Sequence, residues 1–354
     1  MGKKSMLEKI QKEWLSNVQK DLLSGFVVGL SVIPETAGFA IMVGLDVGVV
    51  KNYGLEYAGV ATLMAGILQI LLGYLKIGNL LKFIPQSVMY GFVNALGILL
   101  LMEQFKFLQN QNLGVFILLA IGILIIYLFP LITKKIPSNL ICILIVSAIA
   151  LIFDMHAPNL GSIEQGVSGF HFIIIPKNLD FKMVLELLPY ALSLALVGTI
   201  ESLLTAKTLD VILKDGVSDK NKETKAQGLG NIVSGLLGGM TGCALVGQSI
   251  INAKSGAKTR LSTFFAGFSL MVLILVFNEY VVKIPIVAVV AVMVMISFTT
   301  FNFQSIMNVK TIKLYDTLNM LLVVAVVLYT HNLAIGVVVG VLVNALWIKS
   351  KGIA

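Results

Sequence analysis

The sequence predicts an all-α protein that crosses a membrane many times, and three observations carry that prediction. The chain of 354 residues is 57% hydrophobic and 12% charged, whereas soluble domains carry about 25% charged residues. Its apolar runs reach or approach the roughly 20 residues that a helix needs to cross the hydrocarbon core. Its basic residues are distributed by side of the membrane, as in multi-pass membrane proteins.

The charge pattern predicts how the chain is oriented. With a cytoplasmic N-terminus and alternating spans, 21 of the 26 basic residues fall on the inner side and 5 on the outer side. This bias follows the positive-inside rule, so the net charge of +8 reports topology and argues against a nucleic-acid partner. The first apolar run begins near Leu22 and leads into further spans, unlike a cleaved signal peptide. We expect a protein embedded in the lipid bilayer of the plasma membrane.

Apolar runs divide the chain into about 12 segments, of which the one at 241–253 is too short to cross a membrane alone. The expected spans are 22–45, 55–75, 83–104, 112–130, 137–153, 184–206, 225–239, 241–253, 261–278, 281–299, 314–329 and 332–349. The predicted organisation is a cytoplasmic amphipathic N-terminus (1–20), a first, incomplete transmembrane repeat (21–153), an extracytoplasmic loop (154–183) and a second repeat (184–350). Within the loop, "FHFIIIP" is a candidate short strand.

Two inverted repeats are indicated by matched motifs. "TLMAG" at 62–66 matches "TFFAG" at 263–267, and "IP" at 84–85 matches "IP" at 284–285, an offset of about 200 residues in both cases. Upstream, each half has a span with one glutamate, Glu35 and Glu201, at an offset of only 166. About 35 residues of the second half therefore have no counterpart in the first. They correspond to two segments, so the parity of membrane crossings is kept.

The two intramembrane glutamates are candidate functional residues. Pro34 removes a backbone hydrogen bond next to Glu35, which loosens the helix there. Thr205 lies one turn after Glu201, so both oxygens lie along one helix face. A carboxylate at span depth normally faces a cavity or a partner, and with a hydroxyl and freed carbonyls it suits a proton or a sodium ion. The alternative is that these polar groups only join helices.

A glycine-rich stretch at 234–260 interrupts the apolar pattern. Gly238 and Gly239 are expected to end one helix at mid-membrane depth, and Thr241 to cap the next. The N-terminus of such a half-helix is a ready anion site. The alternative is close helix packing by small residues. The residues expected to bind the anion are Thr241, Gly242, Cys243, Ala244, Gln248 and Ser249.

Other chemistry is not indicated. Cys142 and Cys243 both fall in apolar segments, without the further ligands that a metal site or disulfide framework needs. The three histidines, His156, His171 and His331, are scattered at span ends and loops. The sequence shows no nucleophile–base pair and no phosphate loop, so we expect neither an enzyme nor a bound cofactor.

At these residues the chain resembles the SulP family of inorganic anion permeases, the sulfate and bicarbonate transporters. The resemblance covers nearly the whole chain and is carried by "DLLSGFVVGLSVIPETAGFAI", "GILQILLGYLKIGNLLKFIPQSVMYGF", "LPYALSLALVGTIESLLTAKTLD" and "GNIVSGLLGGMTGCALVGQSIINAKSGAKTRLS". It implies two inverted repeats of seven segments and elevator-type alternating access.

The resemblance also implies roles for particular residues. Glu35 of the first segment would line the anion site, between two half-helix N-termini. Glu201 and Thr205 would bind or relay the coupling cation, H⁺ or Na⁺. The backbone of Gly239, Met240 and Thr241 would complete that pocket.

The sequence departs from the family pattern in two places. The second and third segments are missing, as the repeat offsets indicate, and the chain stops where many members continue into a STAS domain. We expect a secondary transporter of sulfate or bicarbonate, which could form a homodimer. The first alternative is a non-transporting remnant or membrane assembly partner, and a less favoured one is a nucleobase permease.

Overall fold

A computed structural model describes residues 8, 11–46, 49, 53–79, 84–109, 111–133, 136–155, 157–160, 176, 179–214, 216–307 and 313–350, without the side chains of 34–46, 55, 278, 349 and 350. The described residues form an all-α protein. Its helices are α1 (Val18–Asp46), α2 (Leu55–Tyr74), α3 (Gln86–Leu108), α4 (Leu113–Ile132), α5 (Ser138–Ile152), α6 (Phe181–Leu213), α7 (Lys220–Leu236), α8 (Val246–Lys254), α9 (Arg260–Val276), α10 (Asn278–Val281), α11 (Ile286–Thr300), α12 (Phe303–Met307), α13 (Leu314–Thr330) and α14 (Leu333–Ser350).

The twelve longer helices correspond to the twelve expected segments, while α10 and α12 are single-turn elements of four and five residues. Within the described residues, α2, α3, α4 and α6 are long and apolar enough to cross a membrane, and five shorter helices are apolar as well. The predicted polytopic helical fold is therefore confirmed. The candidate strand at 170–176 lies, except for Pro176, outside the described residues.

Helices α3 and α11 cross at the centre of one half of the molecule. Each begins directly after a proline, Pro85 or Pro285, which has extended backbone at the N-cap. A Cβ on Gly97 of α3 would lie 3.0 Å from the carbonyl oxygen of Ser297 of α11, and these two positions are 200 residues apart. The two helices therefore meet at equivalent positions of the two repeats, as expected if a pseudo-two-fold axis relates the repeats.

The helices around this pair pack in matched fashion. A Cβ on Gly91 of α3 would lie 2.7 Å from Val323 Cβ of α13. A Cβ on Gly122 of α4 would lie 2.8 Å from Ala291 Cβ of α11. Ala291 follows Gly91 by 200 residues and Val323 follows Gly122 by 201. The α3–α13 and α4–α11 contacts are therefore equivalent under the repeat. Every residue from Ile286 to Val294 is buried, as expected for a helix that is apolar on all sides.

The other half of the molecule contains a second matched pair of contacts. Gly25 and Gly29 of α1 lie against Ala266 of α9. A Cβ on Gly25 would lie 3.1 Å from the Ala266 nitrogen, and a Cβ on Gly29 would lie 3.0 Å from the Ala266 carbonyl oxygen. Their counterparts at an offset of 166, Ala191 and Ala195 of α6, are buried together with Ala65 of α2. Ala65 precedes Ala266 by 201 residues. The α1–α9 and α6–α2 interfaces are therefore equivalent.

Asp21 ties the start of α1 to the connection before α9. Its fully buried carboxylate accepts hydrogen bonds from the Lys258 N–H at 2.8 Å, from the Thr259 hydroxyl and from Asn17 Nδ2 at 2.9 Å. Asn17 also donates to the carbonyl of Gly256 at 2.9 Å. A carboxylate beside the first N–H groups of a helix is favourable, so Asp21 anchors α9 as well as α1.

Helices α2 and α7 approach each other closely. A Cβ on Gly66 would lie 2.7 Å from the carbonyl oxygen of Gly228, and one on Gly228 would lie 2.6 Å from that of Gly66. Further along α2, Gly73 lies against Asn221 and Lys225, so the helices run antiparallel. Glycine is needed at both crossing positions because neither backbone leaves room for a side chain.

We predict that Gly228→Ala destabilises the protein and that Gly230→Ala on the same helix does not. The methyl group that the Gly228→Ala substitution adds would overlap the α2 backbone, and such overpacking costs about 1–3 kcal/mol. Gly230 has no described atom within 4 Å of its Cβ position, and alanine favours a helix over glycine by about 1 kcal/mol. Melting temperatures of the detergent-solubilised variants measure the difference. Equal melting temperatures would show that the α2–α7 crossing is not tight.

Candidate functional site

The chain between α7 and α8, residues 237–245, has no regular secondary structure and is called here the crossover. Helix α7 ends in a Schellman motif: the Gly238 N–H donates to the Gly235 carbonyl and the Gly239 N–H to the Ser234 carbonyl at 2.8 Å. Gly238 has a φ of 73°, a left-handed conformation that only glycine adopts without strain. The predicted helix break at Gly238 and Gly239 is therefore confirmed, and its cause is this cap.

The start of the half-helix differs from the prediction. Helix α8 begins at Val246, after Leu245, and no side-chain bond caps it, so the predicted capping role of Thr241 is wrong. The Thr241 hydroxyl instead lies 3.3 Å from Thr62 Oγ1 on α2. Hydrogen bonds with side chains of α6 and α7 hold the crossover as far as Ala244, so the helix starts further along the chain. The first-turn N–H groups belong to Val246 and its successors.

Asn231 of α7 is the main support of the crossover. Its Oδ1 accepts the Gly242 N–H at 2.8 Å, and its Nδ2 donates to the Gly242 carbonyl at 3.2 Å and to Gln69 Oε1 of α2 at 2.7 Å. Gln227 also donates to the Gly242 carbonyl, at 3.0 Å, and Gln69 Nε2 donates to the carbonyl of Ala195 on α6 at 3.4 Å. One amide network thus joins three helices to the crossover.

Helix α6 supports the other side of the crossover. The Ala244 N–H donates to Ser202 Oγ at 2.9 Å, and Thr205 Oγ1 donates to the Ala244 carbonyl at 2.8 Å. The Cys243 thiol lies 3.1 Å from Glu201 Oε2 and donates to it. The structure thus brings Glu201 and Thr205 together along one face, as predicted, and adds Ser202 between them. Ser202 and Thr205 are buried.

The remaining predicted residues lie around this centre. Ser234 of α7 bonds to Gly239 and donates to the Met240 carbonyl at 2.8 Å, so both residues lie on the α7 side of the crossover. Gln248 and Ser249 are half-buried positions of α8. The N–H groups of Gly242 and Ala244, predicted to be free for an anion, are bonded to side chains, which makes that expectation wrong for these two groups. The side chain of Glu35 lies outside the described residues.

Among the described residues, Glu201 is the charged side chain that contacts the crossover. The ion pairs of the described residues, Lys106–Glu103 and Arg260–Glu13, lie elsewhere. A cavity of about 430 Å³ lies further along α6, where no crossover residue lines it. Its lining residues are Leu203, Leu204 and Lys207 of that helix and Gly78, Asn79, Met89 and Lys220. No cluster of three metal-ligating side chains occurs in the described part of the chain.

Sequence reasoning missed the residues that hold the crossover, above all Gln69 and Asn231. Both are buried, with 0% and 4% of their surface exposed. The signal was present for Gln69, because a lone amide in an apolar segment normally bonds to a neighbouring helix. Their distance of 162 residues along the chain hides the pairing from any local pattern.

Comparisons with known proteins agree with this architecture. The model of the sulfate permease family matches residues 47–118 and 110–326. The candidate sulfate transporter YbaR of Bacillus subtilis is 39% identical over 97% of this chain and 79% of its own length. The bicarbonate transporter BicA of Picosynechococcus is 32% identical over 66% of this chain and 45% of its own length.

Two solved structures share the fold. The transmembrane domain of a cyanobacterial bicarbonate transporter BicA superposes with a TM-score of 0.77 at 20% identity, covering 93% of this chain and 97% of that chain. The murine anion transporter Slc26a9 in its inward-facing state gives a TM-score of 0.81 at 16% identity, covering 98% of this chain and 70% of that chain.

The length of the YbaR alignment agrees in size with the predicted internal gap. It extends over 379 residues, while 97% of a chain of 354 residues is about 343. About 36 aligned positions therefore have no counterpart in this chain, close to the 35 that the repeat offsets indicate. The match of the family model over most of the chain and the 39% identity with YbaR lead to one conclusion. This chain is a member of the sulfate permease family, a family of anion transporters.

Proposed function

We propose that the protein carries sulfate or bicarbonate across the plasma membrane by secondary active transport, coupled to H⁺ or Na⁺, with its N-terminus in the cytoplasm. The observation that carries the proposal is the contact between Glu201 and the crossover of a broken helix. It supports transport because it places a chargeable group against the segment that leads into an anion-attracting helix end, α8. The relatives that match, YbaR and BicA, are described as sulfate and bicarbonate transporters.

The anion is assigned to the N-terminus of α8. Because Leu245 provides no side-chain cap, the first-turn N–H groups of Val246, Gly247 and Gln248 point out of the helix end. A helix N-terminus carries about half a positive charge. Gly247 has no described atom within 4 Å of its Cβ position, so an oxyanion can approach the backbone there. Gln248 and Ser249 follow within the same turn and line the approach.

The coupling ion is assigned to Glu201 and Thr205. An ionised carboxylate at span depth is costly unless a cation or a proton neutralises it. A cation that binds Glu201 would compete with the Cys243 thiol and would meet the carbonyl of Ala244, which Thr205 holds in place. Because Cys243 and Ala244 lead directly into α8, occupancy of Glu201 can change the position of the anion-binding helix end. This connection is the physical basis that we propose for coupling.

The internal gap favours a second candidate function, that of a membrane protein which keeps the fold without transporting. About 36 aligned positions of YbaR have no counterpart here, close to the number that the repeat offsets assign to the missing segments, and by the repeat relation those segments would include the half-helix that faces α8. Helix α8 accordingly has no buried residue. A protein of this kind would bind anions weakly or not at all, and uptake measurements separate the two candidates.

We predict that purified protein in liposomes takes up radiolabelled sulfate or bicarbonate and that Glu201→Gln removes the dependence on a H⁺ or Na⁺ gradient. Glutamine cannot take up a proton or neutralise a cation, and loss of a buried charged partner costs about 1–3 kcal/mol, which corresponds to a roughly 5- to 150-fold lower gradient-driven rate. Glu186→Gln is the matched control, because Glu186 lies on the same helix and is exposed. Uptake equal to that of empty liposomes for both anions would favour the non-transporting candidate.

We predict that Thr205→Val lowers uptake and that Thr208→Val does not. Valine keeps the shape of threonine but leaves the Ala244 carbonyl without its donor, a loss of about 1–3 kcal/mol. Thr208 donates instead to the Leu204 carbonyl of its own helix at 2.9 Å, so it holds no part of the crossover. Initial rates at several anion concentrations provide the measurement. Identical effects of the two substitutions would contradict the role given to Thr205.

A further inference from the structure

One face of α9 lacks the helix partner that the rest of the fold provides. Phe264 and Phe268 on this face are 59% and 47% exposed, and no described atom lies within 4 Å of the Cβ position of Gly267. Met271 and Leu275 continue the face at 38% and 46% exposure. The rings of Trp14 and Phe264 make an edge contact, with their centroids 6.1 Å apart. The other residues of this face remain exposed. We call Phe264, Gly267, Phe268, Met271 and Leu275 the Gly267 face.

The repeat identifies what is missing from this face. Gly267 is the counterpart of Gly66 at an offset of 201 residues, and Gly66 is packed against the backbone of Gly228 on α7. The alanine before each glycine makes an equivalent contact: Ala65 packs against α6, and Ala266 packs against α1. Only the partner equivalent to α7 is absent next to α9 among the described residues. The Gly267 face is thus one half of an interface whose other copy is fully built.

The size of the internal gap agrees with this identification. About 36 positions of YbaR have no counterpart here, enough for one membrane-spanning helix of roughly 20 residues and a shorter half-helix. By the repeat relation these two elements would be the counterparts of α7 and α8. Helix α8, which should face the second of them, has no buried residue. Two independent surfaces therefore point to the same missing segment.

We propose that the Gly267 face is a binding seat for an apolar membrane-spanning helix of a separate polypeptide, antiparallel to α9, with a small residue opposite Gly267. The direction follows from the antiparallel α2–α7 pair. The small residue follows from the close approach of Gly66 and Gly228, since such contacts need small side chains on both helices. The occupant lies within the membrane because the four side chains of the Gly267 face are all apolar.

The occupant belongs to a different protein for a structural reason. A second copy of this chain has the same gap, and its own α7 is already packed against its α2 through Gly228. The Gly267 face is also continuous with an interface that is built, because Ala266 next to it packs against Gly25 and Gly29 of α1. A helix seated on Gly267 would extend that interface. The inference concerns packing and holds whether or not the protein transports an anion.

Cysteine cross-linking with a defined probe tests the proposal. The probe is a separate polypeptide made of the positions of YbaR that lie opposite the gap, co-expressed with this chain carrying Phe268→Cys. Single cysteines are placed along the probe. We expect disulfide cross-links between Phe268→Cys and one face of the probe. Phe264→Cys and Met271→Cys should select probe positions in reverse order, as an antiparallel helix requires.

Two controls make the result decisive. Leu124→Cys on α4 is similarly exposed, at 56% against 47% for Phe268, but lies on a face with no predicted partner and should not cross-link above background. Gly267→Leu should abolish the Phe268→Cys cross-link, because its side chain fills the space for the incoming backbone. Should Gly267→Leu fold poorly, the reverse order of the Phe264→Cys and Met271→Cys cross-links still tests the seat.

Three outcomes would overturn the proposal. Cross-links at Phe268→Cys no stronger than at Leu124→Cys would mean that lipid alone covers the face. Cross-links between two copies of this chain through Phe268→Cys, without the probe, would make the face a homodimer interface. Probe cross-links that persist with Gly267→Leu in a folded protein would show that the helix binds elsewhere.

Discussion

The crossover between α7 and α8 is the constraint on which the functional half of the molecule depends. A chain that leaves helical geometry inside a membrane exposes N–H and C=O groups, each of which costs several kcal/mol when unpaired. The protein satisfies them from outside the crossover, with Asn231 on α7 and with Ser202 and Thr205 on α6. These side chains can do so only if the helices that carry them stand in fixed positions. The broken helix therefore dictates the packing around it.

Close glycine packing and the amide network support each other. The bond between Gln69 and Asn231 at 2.7 Å requires α2 and α7 to approach closely, and Gly66 and Gly228 allow that approach. In return, the buried amides fix the rotation of α2 against α7, which small residues alone leave undetermined. A substitution at either glycine would thus disturb the crossover as well as the packing.

The sequence predicts what depends on composition and local pattern. Twelve segments follow from apolar runs, and the end of α7 follows from Gly238, whose φ of 73° is a local requirement. The start of α8 could not be predicted, because Asn231 and Ser202 bind the N–H groups that a local cap would have used. Only tertiary contacts decide this boundary. Glu201 and Thr205 are predictable because a carboxylate in a span is costly and normally faces a cavity or a partner.

The incomplete repeat affects the anion site more than the core that stabilises the fold. The contacts around α3 and α11 are present in both repeats, so this half of the molecule retains a complete core. The loss falls on the half that holds the site, where α7 and α8 have no described counterparts. With two opposed half-helices, an anion would meet two positive ends, whereas here α8 offers one, with about half a unit charge. The same missing segment leaves α8 without a buried residue and Gly267 uncovered, so a helix seated on α9 would restore packing and site together.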